Sequence, residues 1–275
     1  MGMRLLYVTD LHGHIDKYNR AFEIAKGEKV DAVVNGGDML PHGRVRMEDQ
    51  RRFITDFLDG HFSLYDRAGI RYLCLLGNDD VAALDPVFAA VCARHSAVAN
   101  IAQAAVALGE FACIGMNLVT DFPFRLKDRA RMDSRAFAFP AQFGGAVLST
   151  ETGFRDLPDW QAYAAGLPTI EEELARLPVP ADPRRAMYVI HGPPAGVGLD
   201  VCYDGQQVGS PAVHAFLKNR QPLLSLHGHI HESPEKSGVW RAEIGKTICI
   251  QPGQRKELVS VLMDPHSMRI ERNIG

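Results

Sequence analysis

Arg4-Leu5-Leu6-Tyr7-Val8-Thr9-Asp10-Leu11-His12-Gly13 begins with an aliphatic run and breaks on a carboxylate, an imidazole and a glycine. The same pattern recurs along the chain. Ala32-Val33-Val34-Asn35-Gly36-Gly37 leads into Asp38, and Tyr72-Leu73-Cys74-Leu75-Leu76-Gly77 leads into Asn78. Met187-Tyr188-Val189-Ile190 leads into His191, and Leu223-Leu224-Ser225-Leu226 leads into His227-Gly228-His229-Ile230-His231. Short apolar runs bounded by turn signals read as buried strands. An α/β sheet gathers the carboxyl ends of its strands along one edge, where ligands bind. Asp10, His12, Asp38, Asn78, His191, His229 and His231 can therefore converge on one place. Asp10 with His12, and His229 with His231, are spaced i, i+2, which in extended chain points both side chains the same way. Taken singly, a strand-end Asp is also a common helix cap, and a lone His is often satisfied inside a core. The combination is more specific and points to a two-metal hydrolase.

Helical periodicity fills the gaps between the early runs. It predicts helices over 15–26, 47–67 and 84–94, alternating with strands over 4–9, 31–35 and 71–76, a βαβαβ rhythm that implies parallel pairing. Ala105–Leu108 and Phe111–Met116 read as a hairpin about Gly109-Glu110. Residues 120–165 show poor periodicity and read as an irregular insertion. Its Phe122, Phe124, Phe137, Phe139 and Phe143 form either a substrate wall or a small core. Thr169 followed by Glu172 is a capping-box signature for a helix over 169–177. Ser210-Pro211 opens a helix through Lys218, and short β runs follow at 239–244, 247–250, 258–263 and 267–271. With no internal repeat or linker composition, residues 1–275 read as one domain.

Composition bounds the function. The chain has 275 residues, 46% apolar and 23% charged, with a formal charge of −3, an ordinary globular profile. That charge argues against general nucleic-acid binding, which usually needs a basic face. No apolar stretch is long enough to span a bilayer, and Asp10 comes too early for a signal peptide. Cys74, Cys92, Cys113, Cys202 and Cys249 are scattered without paired spacing. They read as free thiols in a reducing cytoplasm.

The ordered set Asp10-Leu11-His12-Gly13, Gly36-Gly37-Asp38, Gly77-Asn78-Asp79, His191-Gly192-Pro193-Pro194 and Gly228-His229-Ile230-His231 resembles the calcineurin-like metallophosphoesterase superfamily. The resemblance spans residues 4 to about 254. The His191-Gly192-Pro193-Pro194 and Gly228-His229-Ile230-His231-Glu232-Ser233 segments look like a smaller branch of prokaryotic phosphoesterases, and Gln251-Pro252-Gly253 resembles the family's Asn-Pro-Gly turn. The resemblance implies a four-layer α/β/β/α sandwich of two mixed sheets with helices outside. It implies one metal on Asp10, His12 and His231, a second on Asn78, His191 and His229, and Asp38 bridging them. An imidazole-rich site suits two divalent transition ions (Mn, Fe, Zn, Ni or Co) better than Mg or Ca. Two such ions activate a bridging hydroxide for in-line attack at phosphorus.

Two positions depart from the pattern. Many members carry His after the Asn, where it helps the leaving group depart; here that residue is Asp79. An ordinary Asp, with a pKa of about 3.9, is a poor donor. Asp79 is thus a tuned acid, a residue that orients another acid or a water, a sign of substrates with good leaving groups, or a helix cap. Protein Ser/Thr phosphatases carry Arg-Gly shortly after the bridging Asp, whereas here His42-Gly43 follows, with Arg44 displaced. His42 is then a substrate contact, an alternative proton donor or a solvated loop residue. Both departures favour a phosphodiesterase acting on a small phosphoester, with a nucleotide among the candidates. A phosphomonoesterase or nucleotide phosphatase is the alternative, and a non-catalytic interaction module would be expected to lose ligands. His14 is expected at the start of the first helix, and His227 is expected to point away from its neighbours.

Overall fold

The computed structural model describes residues 2–43 and 47–275. Two six-stranded mixed sheets form its centre. In order across the first run Arg269–Ile274, Val259–Asp264, Leu5–Val8, Ala32–Asn35, Arg71–Cys74 and Val98–Asn100. The last four of these are mutually parallel. The second sheet runs Arg241–Ile244, Thr247–Ile250, Leu224–Leu226, Ala186–Ile190, Phe111–Met116 and Ala105–Leu108, with its four central strands parallel.

Alternation along each strand sorts the apolar side chains into layers, because successive Cβ atoms leave opposite faces of a sheet. Leu6, Val8, Val33, Tyr72 and Cys74 pack outward against Ile15–Gly27 and the helices over 47–92. Leu5, Tyr7, Val34 and Leu73 pack inward on Cys113, Met187, Val189, Leu226, Ile248 and Ile250 of the other sheet. Ile114, Met116, Tyr188, Ile190 and Cys249 face the far side, where Ile170–Arg176 and Pro211–Arg220 cover them. The result is the expected four-layer sandwich. Among the described residues no helix is long and apolar enough to cross a membrane.

Local signals account for several boundaries. The Thr169–Glu172 capping box is made reciprocally, the Glu172 N–H donating to Thr169 Oγ1 at 3.2 Å and the Thr169 N–H to Glu172 Oε2 at 3.0 Å. Ser210 caps its helix by accepting from the Val213 N–H. His14 stands at the N-cap of the first helix. The helical segment expected over 47–67 contains a π-helical stretch, Phe53–Leu58, between α-helical Met47–Arg52 and Asp59–Ala68. Phe53, Ile54 and Leu58 of that stretch are buried. The insertion over 120–165 is more regular than its sequence indicates. It carries a hairpin, Ala146–Thr150 with Gly153–Leu157, and a helix, Trp160–Ala165. Phe122, Ala130, Met132, Leu157 and Trp160 give it a small core of its own.

Candidate metal centre

Every ligand candidate lies just past the carboxyl end of a parallel strand, as the strand reading requires. Asp10 and His12 follow Leu5–Val8, Asp38 follows Ala32–Asn35, Asn78 follows Arg71–Cys74, His191 follows Ala186–Ile190, and His229 and His231 follow Leu224–Leu226. Asp10 with His12, and His229 with His231, are not aligned by extended i, i+2 geometry. The chain has left extended geometry before these residues: φ is 53° at Asp10, 45° at His12, 50° at Asp38 and 69° at His229. Left-handed turns aim the side chains, and Asp and His tolerate that conformation better than most residues.

The turns lock into one another. The Asp10, His12 and Gly13 N–H groups donate to the carbonyls of Gly37, Asp38 and Met39, each at 2.9 Å. The Gly228 N–H donates to the His191 carbonyl at 2.9 Å, and the His229 N–H to Asp10 Oδ1 at 2.9 Å, which joins the two sheets. Close approach explains two glycines. A Cβ on Gly77 would collide with the Asp38 carboxylate, and one on Gly37, whose φ is 114°, would stand 2.7 Å from His191 Nδ1.

Ligand atoms of Asp10, His12 and Asp38 lie within 4.8 Å of one another, as do those of Asp38, His191 and His229. Asp38 is common to both groups. His191 Nε2 is 3.3 Å from Asp38 Oδ2 and 2.9 Å from Asn78 Oδ1. His191 Nδ1 lies 2.8 Å from the Gly36 carbonyl, which fixes the ring and turns Nε2 toward the cluster. His231 lies outside both tight groups. Its ring centroid is 5.7 Å from that of His12, and its side chain is 39% exposed.

The donor set fits metal. Asp10 Oδ2 and both ring nitrogens of His12 are buried without a hydrogen-bond partner among the described residues. Such groups cost about 1–3 kcal/mol each when unsatisfied, and a divalent cation would satisfy Asp10 Oδ2 and one of the two His12 nitrogens. Proton affinities follow the crowding. Burial lowers the His229 imidazole, reinforced by His191, to about 4. Burial likewise lowers His12. Burial also opposes protonation of His191, but the Asp38 charge and contact outweigh it and lift His191 to about 9. Asp38 is held well below the usual carboxylate range: burial resists ionisation, yet His191, His12 and the Asp79 N–H, which donates at 2.9 Å, overcome it.

Asp79 and His42 meet at this centre. His42 Nδ1 is 3.5 Å from Asp79 Oδ2, and the His42 ring lies 4.0 Å, centroid to centroid, from that of His12. Ligand atoms of these three form a further group within 4.8 Å. The contact with Asp79 raises the His42 pKa above its ordinary value, against burial. Asp79 does not cap a helix: the next helical turn, Ala82–Leu84, has Val81 at its N-cap. Arg44 lies outside the described residues. His227 turns away as expected, its Nδ1 2.8 Å from the Ile190 carbonyl.

Sequence reading missed the residues that hold these loops. Buried Asp80 accepts from the N–H groups of Met39 at 2.9 Å, Leu40 at 2.8 Å and Gly77 at 2.7 Å. The carboxylate adjoining Asn78-Asp79 was its only sequence signal. Gln50 donates to the carbonyls of Pro41 and Asp79, at 2.8 and 3.1 Å, and accepts from the Val81 N–H. No local pattern marks it. Gln251 donates to the Gly228 carbonyl and so steadies the His229 turn.

A cleft of about 1550 Å³ opens onto the centre. Asp38, His42, Asn78, Asp79, His229 and His231 line its floor, and the insertion supplies one wall. The five phenylalanines divide between both expected roles. Phe139 packs on the insertion's core, Phe124 and Phe143 are exposed along the cleft, and Phe122 and Phe137 both pack on that core and line the cleft.

Residues 3–233 match the family model described as calcineurin-like phosphoesterase. No curated protein matches the chain by sequence. One solved structure, 17% identical, superposes with a TM-score of 0.67 over 100% of this chain and 99% of its own. TT1561 of Thermus thermophilus is 16% identical with a TM-score of 0.61, over 100% and 99%. A dimetal phosphatase from Danio rerio is 12% identical with a TM-score of 0.50, over 94% and 92%. At such identities these likenesses show the fold.

Proposed function

The chain belongs to the calcineurin-like phosphoesterase family, and we propose that it hydrolyses phosphodiesters of small molecules at a two-metal site. Family membership supports metal-dependent phosphoester hydrolysis, and the family uses divalent metal ions. The observation that carries the reading is the pair of ligand groups sharing Asp38, with the orphaned Asp10 and His12 atoms beside it. Asp10, His12 and His231 would hold one ion, Asn78, His191 and His229 the other, and Asp38 would bridge. Mn, Fe, Zn, Ni and Co all suit these donors. Bound there, the ions supply an activated water at neutral pH and neutralise charge on the phosphoryl oxygens.

The protein's own groups do the rest. His191 is fully buried beneath the floor, and half-buried His229 faces the cleft. His42 Nε2 carries the proton for the departing alkoxide, and Asp79 holds the ring through Nδ1. This arrangement replaces the histidine that many relatives place after the asparagine, and proton transfer of this kind contributes about 10²–10⁴-fold. The absence of Arg at position 42 favours a monoanionic diester over a dianionic monoester. Free cysteines, four of them buried, accord with a cytoplasmic setting.

The test is metal content beside turnover of bis-para-nitrophenyl phosphate and para-nitrophenyl phosphate. Close to two transition ions per chain with faster diester cleavage is expected, and Asp38→Asn or His191→Ala should abolish both. Fewer than one ion per chain under every loading condition refutes the ligand assignment. Faster monoester cleavage refutes the diester preference alone.

A further inference from the structure

The cleft is larger than a phosphoryl group requires. Ligand pockets commonly measure about 300–1,000 Å³, and this one reaches about 1550 Å³. Much of its lining beyond the floor comes from the insertion. There the rings form a ladder leading away from the metal-site residues: Phe122 lies edge-on to His229 at 5.6 Å, Phe124 follows at 6.2 Å, and Phe143 stands 5.6 Å beyond at 79°. Phe124 is 62% and Phe143 is 72% exposed, whereas Phe137 and Phe139 pack, partly buried, against the adjoining core.

The wall is also braced from behind. Lys127 and Asp121, both with fully buried side chains, pair at 2.7 Å beneath Phe122, with the Lys127 Nζ 4.8 Å from that ring's centroid. Gln142 donates to the other Asp121 oxygen at 3.1 Å, and the Phe143 N–H donates to the Pro123 carbonyl at 2.9 Å. The segments bearing Phe124 and Phe143 are thus tied together. Rings held on a rigid backing, exposed, and continuous with a phosphoester centre are arranged to contact what the phosphorus carries. Rings set edge to face leave a ring face free for stacking, which a flat partner uses better than a flexible chain.

We propose that Phe122, Phe124 and Phe143 form a subsite for a planar ring, aryl or nucleobase, carried on the ester group of the substrate. The proposal rests on the phosphoesterase reading. It is tested by calorimetric binding of phenylphosphonate, hexylphosphonate and methylphosphonate to the metal-loaded protein. Phenylphosphonate is expected to bind about tenfold more tightly than methylphosphonate, the size of one ring stacked on an aromatic side chain. In Phe124→Ala and in Phe143→Ala that ratio should fall toward one. A matching preference for AMP over ribose 5-phosphate identifies the ring as a nucleobase, and its absence beside an intact phenyl preference identifies a simple aryl group. Equal phenyl and methyl affinities, a ratio unchanged in both variants, or hexyl binding as tight as phenyl overturns the subsite while leaving the phosphoester centre standing. Failure of all three phosphonates to bind protein carrying two ions overturns the phosphoesterase reading, and the subsite falls with it.

Discussion

Replacing Asp80 should cost more stability than any other single change near the site that leaves the ligand set intact. Its carboxyl group accepts three backbone N–H groups, from Met39, Leu40 and Gly77, and it is fully buried. Asp80→Ala leaves all three without an acceptor. At about 1–3 kcal/mol for each unsatisfied buried donor, and with some water entering the space, the loss is about 3–6 kcal/mol. That is a large part of the roughly 5–15 kcal/mol that holds a domain together. Asp80→Asn is the informative companion. Its single oxygen, placed where Oδ2 now accepts from Met39 and Gly77, keeps two of the three bonds and leaves the Leu40 N–H facing an amide. Its expected cost is about 1–3 kcal/mol. Urea denaturation of chelator-treated protein, followed by circular dichroism, measures both without the metal contribution. With a slope of about 3 kcal/mol per M, Asp80→Ala should lower the midpoint by about 1–2 M and Asp80→Asn by less than about 1 M. A midpoint shift under about 0.3 M for Asp80→Ala, or equal shifts for the two variants, would refute the role given to these three hydrogen bonds.

Three further outcomes are expected. The imidazole of His42 should titrate above its ordinary value of about 6.5 in metal-free protein and fall back in Asp79→Asn, as read by NMR. Because the folded value is the raised one, the His42–Asp79 contribution is full below the ordinary value and is lost as pH rises through the raised one. Lys127→Met should cost about 3–5 kcal/mol by stranding the buried Asp121 charge, whereas Lys127→Met with Asp121→Leu should cost less; a double variant no more stable than the single one contradicts this account. Loading metal should release protons, because His191 holds its proton up to about 9 and a ligand nitrogen must give it up. Calorimetry in buffers of different ionisation enthalpy should show release at pH 7 that diminishes above about 9, and proton-neutral loading at pH 7 would contradict it.

Most of the framework was legible in the sequence because buried parallel strands advertise themselves as aliphatic runs, and because their carboxyl ends must share an edge. The capping box at Thr169 and the hairpin about Gly109 were legible for similar reasons, since each is settled within a few residues. What failed was geometry set by distant partners. The i, i+2 spacing of Asp10 and His12 implies extended chain, but hydrogen bonds to Gly37 and Asp38 hold that segment in left-handed turns. The insertion looked irregular because its order comes from contacts such as Asp121 with Lys127 and Asp128 with Ser149, not from periodicity. Gln50 was invisible for the same reason, as it joins loops that are far apart in sequence.

Those left-handed turns also bear on why the site holds its shape. A non-glycine residue in that region costs about 1–2 kcal/mol relative to ordinary backbone, and Asp10, His12, Asp38 and His229 all sit there. Such strain persists only where the surroundings over-determine it. Here each strained turn is tied to a neighbour through its backbone: Asp10 to Gly37, His12 to Asp38, and His229 to the Asp10 carboxylate. Asp10 links the sheets with Oδ1 and leaves Oδ2 for a ligand role. The candidate ligands are therefore positioned by their contacts with one another's loops. Under the proposed function, an imposed geometry of this kind would spare the site reorganisation as charge develops. It also explains why the candidates had to come from five separate strand ends: no single loop could brace itself in four strained turns at once.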